Sequence, residues 1–226
     1  MKKTEIEKII GRQIRDFSLF AESFTHKSFA NENPDSPPNE RLEFLGDAVL
    51  ELATTKFLFQ KFPDAPEGEM TKLRSALVKT DSLAEIAKKL GVGKFLKMSR
   101  GEIANGGAEK TPILADLFEA IVGAIFLDGG FAAAETFIAK NLFPRLDEIV
   151  KKNLHRDPKS AFQEFSQEKW GATPTFQIVS ESGPDHDKTF VAAVFVDDEK
   201  KGEGVGSSKQ KAEIAAAKNA LENLKR

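Results

Sequence analysis

The segment Asn39-Glu40-Arg41-Leu42-Glu43-Phe44-Leu45-Gly46-Asp47-Ala48-Val49-Leu50-Glu51 carries more potential chemistry than any other part of the chain. At about 100° per residue, Glu40, Glu43, Asp47 and Glu51 fall in one narrow stripe of a helix. Leu42, Leu45, Val49 and Leu52 are expected on the opposite face. A solvated amphipathic helix would show the same division. Two details argue for more than that. Only Arg41 and Lys56 stand near enough to offset these carboxylates, so the stripe repels itself unless a cation sits on it. Phe44 also lies close to the stripe, as though that face meets something other than bulk water.

The second acidic element is Ile113-Leu114-Ala115-Asp116-Leu117-Phe118-Glu119-Ala120, continuing apolar to Leu127. A helix that is apolar all round should be buried. Its only charges before Asp128 are Asp116 and Glu119, and a buried carboxylate without a partner costs several kcal/mol. The partner is either a metal ion or a structural cation, for which Arg41, Arg74 and Lys79 are the candidates. Packed together, the two helices would pool Glu43, Asp47, Asp116 and Glu119. Four hard oxygen donors without His or Cys suit Mg²⁺, with Mn²⁺ as a substitute, rather than zinc. Such a centre fits hydrolysis of a phosphodiester by a metal-activated water, without a covalent intermediate. No nucleotide cofactor is expected, because Gly101 to Gly107 is not followed by Gly-Lys-Ser/Thr.

The elements that must position these groups divide at about residue 150. Before it the periodicity is helical, interrupted by Asn33-Pro34-Asp35-Ser36-Pro37-Pro38, after which Asn39 is expected to cap a helix. Ser99 to Pro112, with three glycines, reads as a surface loop. Residues 151–156 read as a polar linker. From 157 to 226 the pattern is a helix from Pro158, strands around Phe176–Ser180, Phe190–Val196 and Gly202–Gly206, and an Ala-rich helix capped by Ser207 or Ser208. The fold class is therefore an all-α domain over 1–150 followed by a small α-β-β-β-α domain over 157–226. The chain has 226 residues, net charge −2 and no cysteine, which excludes disulfides and thiolate chemistry. It has neither a signal-peptide pattern at the start nor an apolar run of about 18 residues, so a cytoplasmic protein without membrane contact is expected.

The two acidic motifs resemble those of ribonuclease III in its bacterial two-domain form, and Thr25-His26-Lys27-Ser28 and Lys72-Leu73-Arg74-Ser75-Ala76-Leu77-Val78 also match that family. The resemblance implies that Glu43, Asp47, Asp116 and Glu119 hold catalytic Mg²⁺, with Asp47 and Glu119 the catalytic residues and Glu119 the most critical. Glu40 and Glu67 match acidic positions of lesser weight in the cleft. It further implies a homodimer in which each subunit cuts one strand of double-stranded RNA. The ends would be 5′-phosphates and 3′-hydroxyls with short 3′ overhangs, and ribosomal and messenger RNA precursors would be the substrates. Phe44 matches an aromatic that plugs a pocket on the partner.

From His155 onward the chain has eleven Lys and Arg against twelve Asp and Glu, so any nucleic-acid face must be built locally. Lys209 and Lys211 lie in the first turn of the last helix, where the dipole also attracts phosphate. Ser160, Gln163, Glu164 and Gln167 share a stripe suited to a shallow minor groove lined with 2′-hydroxyls. The segment resembles a double-stranded RNA-binding domain. Carried over, Gln163, Glu164 and His186 contact sugars or base edges, and Lys209 and Lys211 contact phosphates. Gln210 departs from the family's adjacent basic residues, which implies a shallower salt dependence. Two rival readings are a duplex-RNA binder without catalysis and a helical nucleotide phosphohydrolase. All four carboxylates argue against the first, and the C-terminal domain against the second.

Overall fold

The computed structural model describes residues 1–153, 155, 157–184 and 187–224. The chain forms two compact units, Met1–His155 and Arg156–Arg226, each with its own hydrophobic core.

The first unit is helical: α1 (Lys3–Ile10), α2 (Phe17–Ser23), α3 (Lys27–Glu32), α4 (Glu40–Lys61), α5 (Glu67–Val78), α6 (Thr80–Leu90), α7 (Arg100–Ala104), α8 (Thr111–Gly129), α9 (Phe131–Asn141) and α10 (Arg145–Lys151). Helix α8 is the axis of the core. Leu114, Leu117, Phe118, Ile121, Val122 and Ile125 are all buried, as its uniform apolarity requires. Pro112 lies in its first turn, where a missing N–H breaks no helical bond. Helix α4 crosses α8 at Gly46 and Gly123. A Cβ on Gly46 would lie 1.8 Å from the Glu119 carbonyl oxygen, and one on Gly123 would lie 2.2 Å from that of Leu42. Only glycine permits this approach, which presents the carboxylates of both helices on one side.

Three local expectations are corrected. Asn39 does not cap α4 with its side chain; its Nδ2 donates to the Ser23 carbonyl at 3.2 Å and its N–H to that of Thr25 at 2.8 Å. The head of α4 is thereby tied to segment 23–25. The stretch from Ser99 to Pro112 is not a plain loop. Ser99 accepts the Glu102 N–H at 3.2 Å and starts α7, a Ser-x-x-Glu start that the glycines obscure. Leu52, expected on the core face, is 58% exposed. The inward direction of α4 is set by Gly46 at the crossing, and Leu52 points well away from it. His155 lies against α5, with Nε2 2.9 Å from Glu69 Oε1.

The second unit runs α11 (Pro158–Trp170), β1 (Thr175–Ser182), β2 (Thr189–Val196), β3 (Glu199–Gly206) and α12 (Lys209–Asn223). The strands form an antiparallel sheet in the order β1-β2-β3. A bulge between Ile178 and Ser180 shifts the register of β1, so Ser180 leaves the inward face on which Phe176 and Ile178 sit. Asp157 caps α11 by accepting the Ser160 N–H at 2.9 Å, and Ser208 caps α12 by accepting that of Lys211 at 3.2 Å. Alternate glycines of β3 let α12 lie on the strand. A Cβ on Gly204 would stand 2.1 Å from the Ala216 nitrogen.

Candidate active site and nucleic-acid interface

Glu43 on α4 and Asp116 and Glu119 on α8 bring carboxylate oxygens within 4.8 Å of one another. Asp47, one turn along α4, is exposed and stands outside that trio. It is nevertheless near enough that its charge is the strongest electrostatic influence on Glu119. None of the four forms an ion pair among the described residues. The structural cations considered above are elsewhere: Arg74 pairs with Glu51 at 2.8 Å and donates to Thr55, while Arg41 and Lys79 are exposed. Glu51 is thereby drawn out of the acidic stripe.

The electrostatics carry the strain of this arrangement. Burial first, then Asp47, Asp116 and Glu43, push the Glu119 carboxyl up to about 8. Burial and Asp116 raise Glu43, and burial raises Asp116 against the opposing pull of Lys27 and His26. Carboxylates held so close without a cation favour protonation, and a divalent ion would remove that penalty. The oxygen-only donor set fits a hard cation such as Mg²⁺ or Mn²⁺.

The remaining acidic residues of the expected cleft are placed differently from each other. Glu40 is exposed on the rim and pairs with Lys27 at 3.4 Å. Glu67 stands apart from the trio at the start of α5. There it accepts from Thr71 at 2.7 Å and lines a hollow of about 160 Å³ with Thr55, Leu58, Phe59, Met70, Thr71 and Arg74. Glu102 was not singled out in the sequence, although its position three after Ser99 could have flagged it. It bonds Lys110 at 2.7 Å, and its charge acts on His26, whose burial lowers its pKa. Phe44 is 82% exposed. It heads an outward stripe on α4 that continues through Ala48 and Leu52 to Phe59.

In the second unit, Ser160, Gln163, Glu164 and Gln167 are exposed and, with Thr173, line one shallow hollow. Lys209 and Lys211 are exposed at the head of α12, where the Lys211 ammonium donates to Ser207 at 3.1 Å. His186 lies outside the described residues.

A helical unit with a carboxylate cluster, followed by an α-β-β-β-α unit with a polar face, is matched along almost its whole length. Residues 16–146 match the ribonuclease-III-like family model, and residues 158–224 match the double-stranded RNA binding motif. A protein named Ribonuclease 3 from Bdellovibrio bacteriovorus is 41% identical over 222 residues, covering 97% of this chain and 95% of that one. One of the same name from Geobacillus kaustophilus is 43% identical over 226 residues, covering 99% and 92%. The solved nuclease domain of ribonuclease III from Campylobacter jejuni is 46% identical with a TM-score of 0.58, covering 63% of this chain and 99% of that one. That structure shows flexibility in a region involved in dimer formation. The chain therefore belongs to the ribonuclease III family of double-stranded RNA endonucleases. No helix among its described residues is long and apolar enough to cross a membrane.

Proposed function

We propose that this chain is a homodimeric, Mg²⁺-dependent endonuclease that leaves 5′-phosphate and 3′-hydroxyl ends with short 3′ overhangs. The observation that carries the reading is the unpaired trio Glu43, Asp116 and Glu119, crowded within 4.8 Å on two packed helices. These three, with Asp47, would hold the ion. Once bound, the ion supplies an acidified water and neutralises charge on the phosphate oxygens. The chain's own part is to hold the four carboxylates in place. The glycine crossing fixes their separation, and the buried α8 leaves Asp116 and Glu119 no rotation away from it.

The dimer reading rests on the outward stripe of α4. A two-fold interface must be self-complementary. One helix offers both halves: the Phe44 ring near its start and the Phe59-lined hollow near its end. A second copy seating its Phe44 in that hollow would bring the first copy's Glu67 toward the second copy's acidic stripe. That arrangement gives the isolated position of Glu67 a purpose.

Duplex RNA would be gripped by Ser160, Gln163, Glu164 and Gln167 along a minor groove and by Lys209 and Lys211 on phosphates. Structured ribosomal and messenger precursors are the substrates this reading favours. The cytoplasm is its expected site of action, since the matched relatives are bacterial. An end-labelled RNA hairpin, the same sequence as DNA, and a Glu119→Gln variant, each with Mg²⁺, Ca²⁺ or EDTA, test the proposal. RNA-only, Mg²⁺-only cutting that the variant loses supports it. A hairpin held but never cut under any metal makes the carboxylates structural and overturns it.

A further inference from the structure

The Thr25-His26-Lys27-Ser28 segment contributes no carboxylate, yet the fold spends many bonds on fixing it. The His26 N–H donates to the Lys97 carbonyl at 3.0 Å, and the Lys97 N–H to that of Phe24 at 2.8 Å. His26 Nδ1 accepts the Ser28 N–H at 3.2 Å, capping α3, and Ser28 Oγ accepts the Ser99 N–H at 3.0 Å. The Asn39 N–H, at the head of α4, closes the set on the Thr25 carbonyl. Lys27, the first residue of α3, is thus carried on a mount tied directly to the helix that bears Glu40 and Glu43.

What this mount presents is a cation on an acidic rim. The Lys27 ammonium stands 3.4 Å from Glu40, and its side chain is 63% exposed. Among the described residues it is the one lysine or arginine whose charge opposes the raised pKa of Glu43 and Asp116. Other cations around this end of the unit are engaged: Lys110 on Glu102 at 2.7 Å, and Lys97 over the Phe29 ring at 5.8 Å. The Lys27–Glu40 pair is long and solvated on both sides, the kind worth little, so Lys27 can exchange partners at small cost.

A strand entering the cleft brings several phosphates, of which the trio can serve only the one being cut. The neighbours must pass a rim that would otherwise repel them. We propose that Lys27 leaves Glu40 to bind a phosphate flanking the scissile one, making it a substrate-positioning residue of the catalytic unit. The inference rests on the trio being the cleaving centre.

Wild type, Lys27→Met and Lys27→Arg are compared on an end-labelled RNA hairpin. Cleavage is followed in Mg²⁺, and binding is measured in Ca²⁺ across a salt series. For Lys27→Met, KM is expected to rise roughly threefold to tenfold, with the salt slope of binding shallower by about one. Its kcat and the Mg²⁺ concentration for half-maximal rate should stay near wild type, and Lys27→Arg should restore KM. An unchanged KM and slope with a lower Mg²⁺ requirement would make Lys27 a mere counter-ion for the empty carboxylates. A lower Tm accompanied by uniform loss would make it structural. Either result overturns the proposal. If wild type binds the hairpin but does not cut it in Mg²⁺, the cleaving-centre reading fails, and the Ca²⁺ binding series still decides whether Lys27 holds a phosphate.

Discussion

Gly46 of α4 and Gly123 of α8 lie against each other's helices with no side chain between, and that contact sets the spacing of the acidic cluster. Each is one turn or less from a carboxylate: Gly46 sits between Glu43 and Asp47, and Gly123 follows Glu119 by four residues. A Cβ on Gly46 would meet the carbonyl of Glu119 itself. Packing and chemistry therefore share the same backbone atoms. Anything that widens the crossing also moves the trio apart.

Gly46→Ala should for that reason harm activity more than stability. Overpacking of this kind costs about 1–3 kcal/mol, and sometimes more where backbone must shift. A Tm lower by roughly 2–4 °C per kcal/mol is expected by thermal melting. Cleavage measured well below the melting range should still fall by more than the folded fraction accounts for. Activity that tracks folded fraction alone would show that the crossing does not set the site.

Glu119→Gln should separate chemistry from folding in the opposite sense. Gln imitates the neutral acid that burial and the neighbouring carboxylates already favour, so the metal-free protein should melt at the same temperature or higher. On the proposed metal role, loss of one ligand is worth several kcal/mol in the transition state, which puts the drop in kcat at roughly a thousandfold or more. Hairpin binding in Ca²⁺ should change little, because the residues proposed to bind the duplex, Lys27 apart, are carried by the other unit.

The two acidic helices were legible because their signals are local. A helix with two charges in an apolar run must bury them, and a self-repelling stripe must find a cation. What the periodicity misjudged was direction. Leu45 and Leu52 share a face seven residues apart, but the core side of α4 is fixed by where Gly46 touches α8, a tertiary fact. Strict alternation would put Ser180 on the face of Phe176 and Ile178, and the bulge at Val179 is invisible without its partner strand. Glu67 matches the cleft by resemblance, yet in a single chain it lies on a different surface; the proposed dimer would relate it to the cluster through a second copy.

Phe44→Ala tests that second copy. A ring this exposed contributes little to the protomer's own core, so Tm measured under dilute, monomeric conditions should be nearly unchanged. Aromatic anchors buried in a partner's pocket commonly contribute about 2 kcal/mol or more to association. Sedimentation should then show the dimer dissociation constant raised by at least about thirtyfold, with cleavage falling at low protein concentration and recovering at high. A dimer as tight as wild type would remove Phe44 from the interface.

Lys209→Ala with Lys211→Ala and, separately, Gln163→Ala should weaken duplex binding in distinguishable ways. The double lysine change removes the proposed phosphate contacts, so the salt slope should become shallower by about two. Gln163 carries no charge, and its loss should lower affinity with the slope unchanged. Filter binding of an RNA duplex from low to high salt resolves the two. Parallel salt plots for all three proteins would place the phosphate contacts elsewhere on the domain.

Asp128 is the charge of α8 that the fold fully pairs, and it predicts an acid limit to stability. Its buried carboxylate accepts from Arg12 at 2.6 Å and from the N–H groups of Arg15 and Asp16 at 2.8 and 2.7 Å. Burial alone would raise its pKa, but these donors outweigh it and hold the carboxyl below the ordinary aspartate value. A depressed folded pKa means the stabilisation is fully present above the unfolded value of about 3.9 and is lost as pH falls through the folded one. Asp128→Ala should cost about 3–5 kcal/mol at neutral pH by leaving Arg12 and two amides unpaired. Asp128→Asn keeps the shape and loses the charge, so its melting temperature should start lower at pH 7. It should then fall less steeply than wild type below about pH 4. The two curves should converge in acid; curves that stay parallel down to pH 2 would mean that the charge of Asp128, as distinct from its hydrogen bonds, does not anchor α8 to the loop before α2.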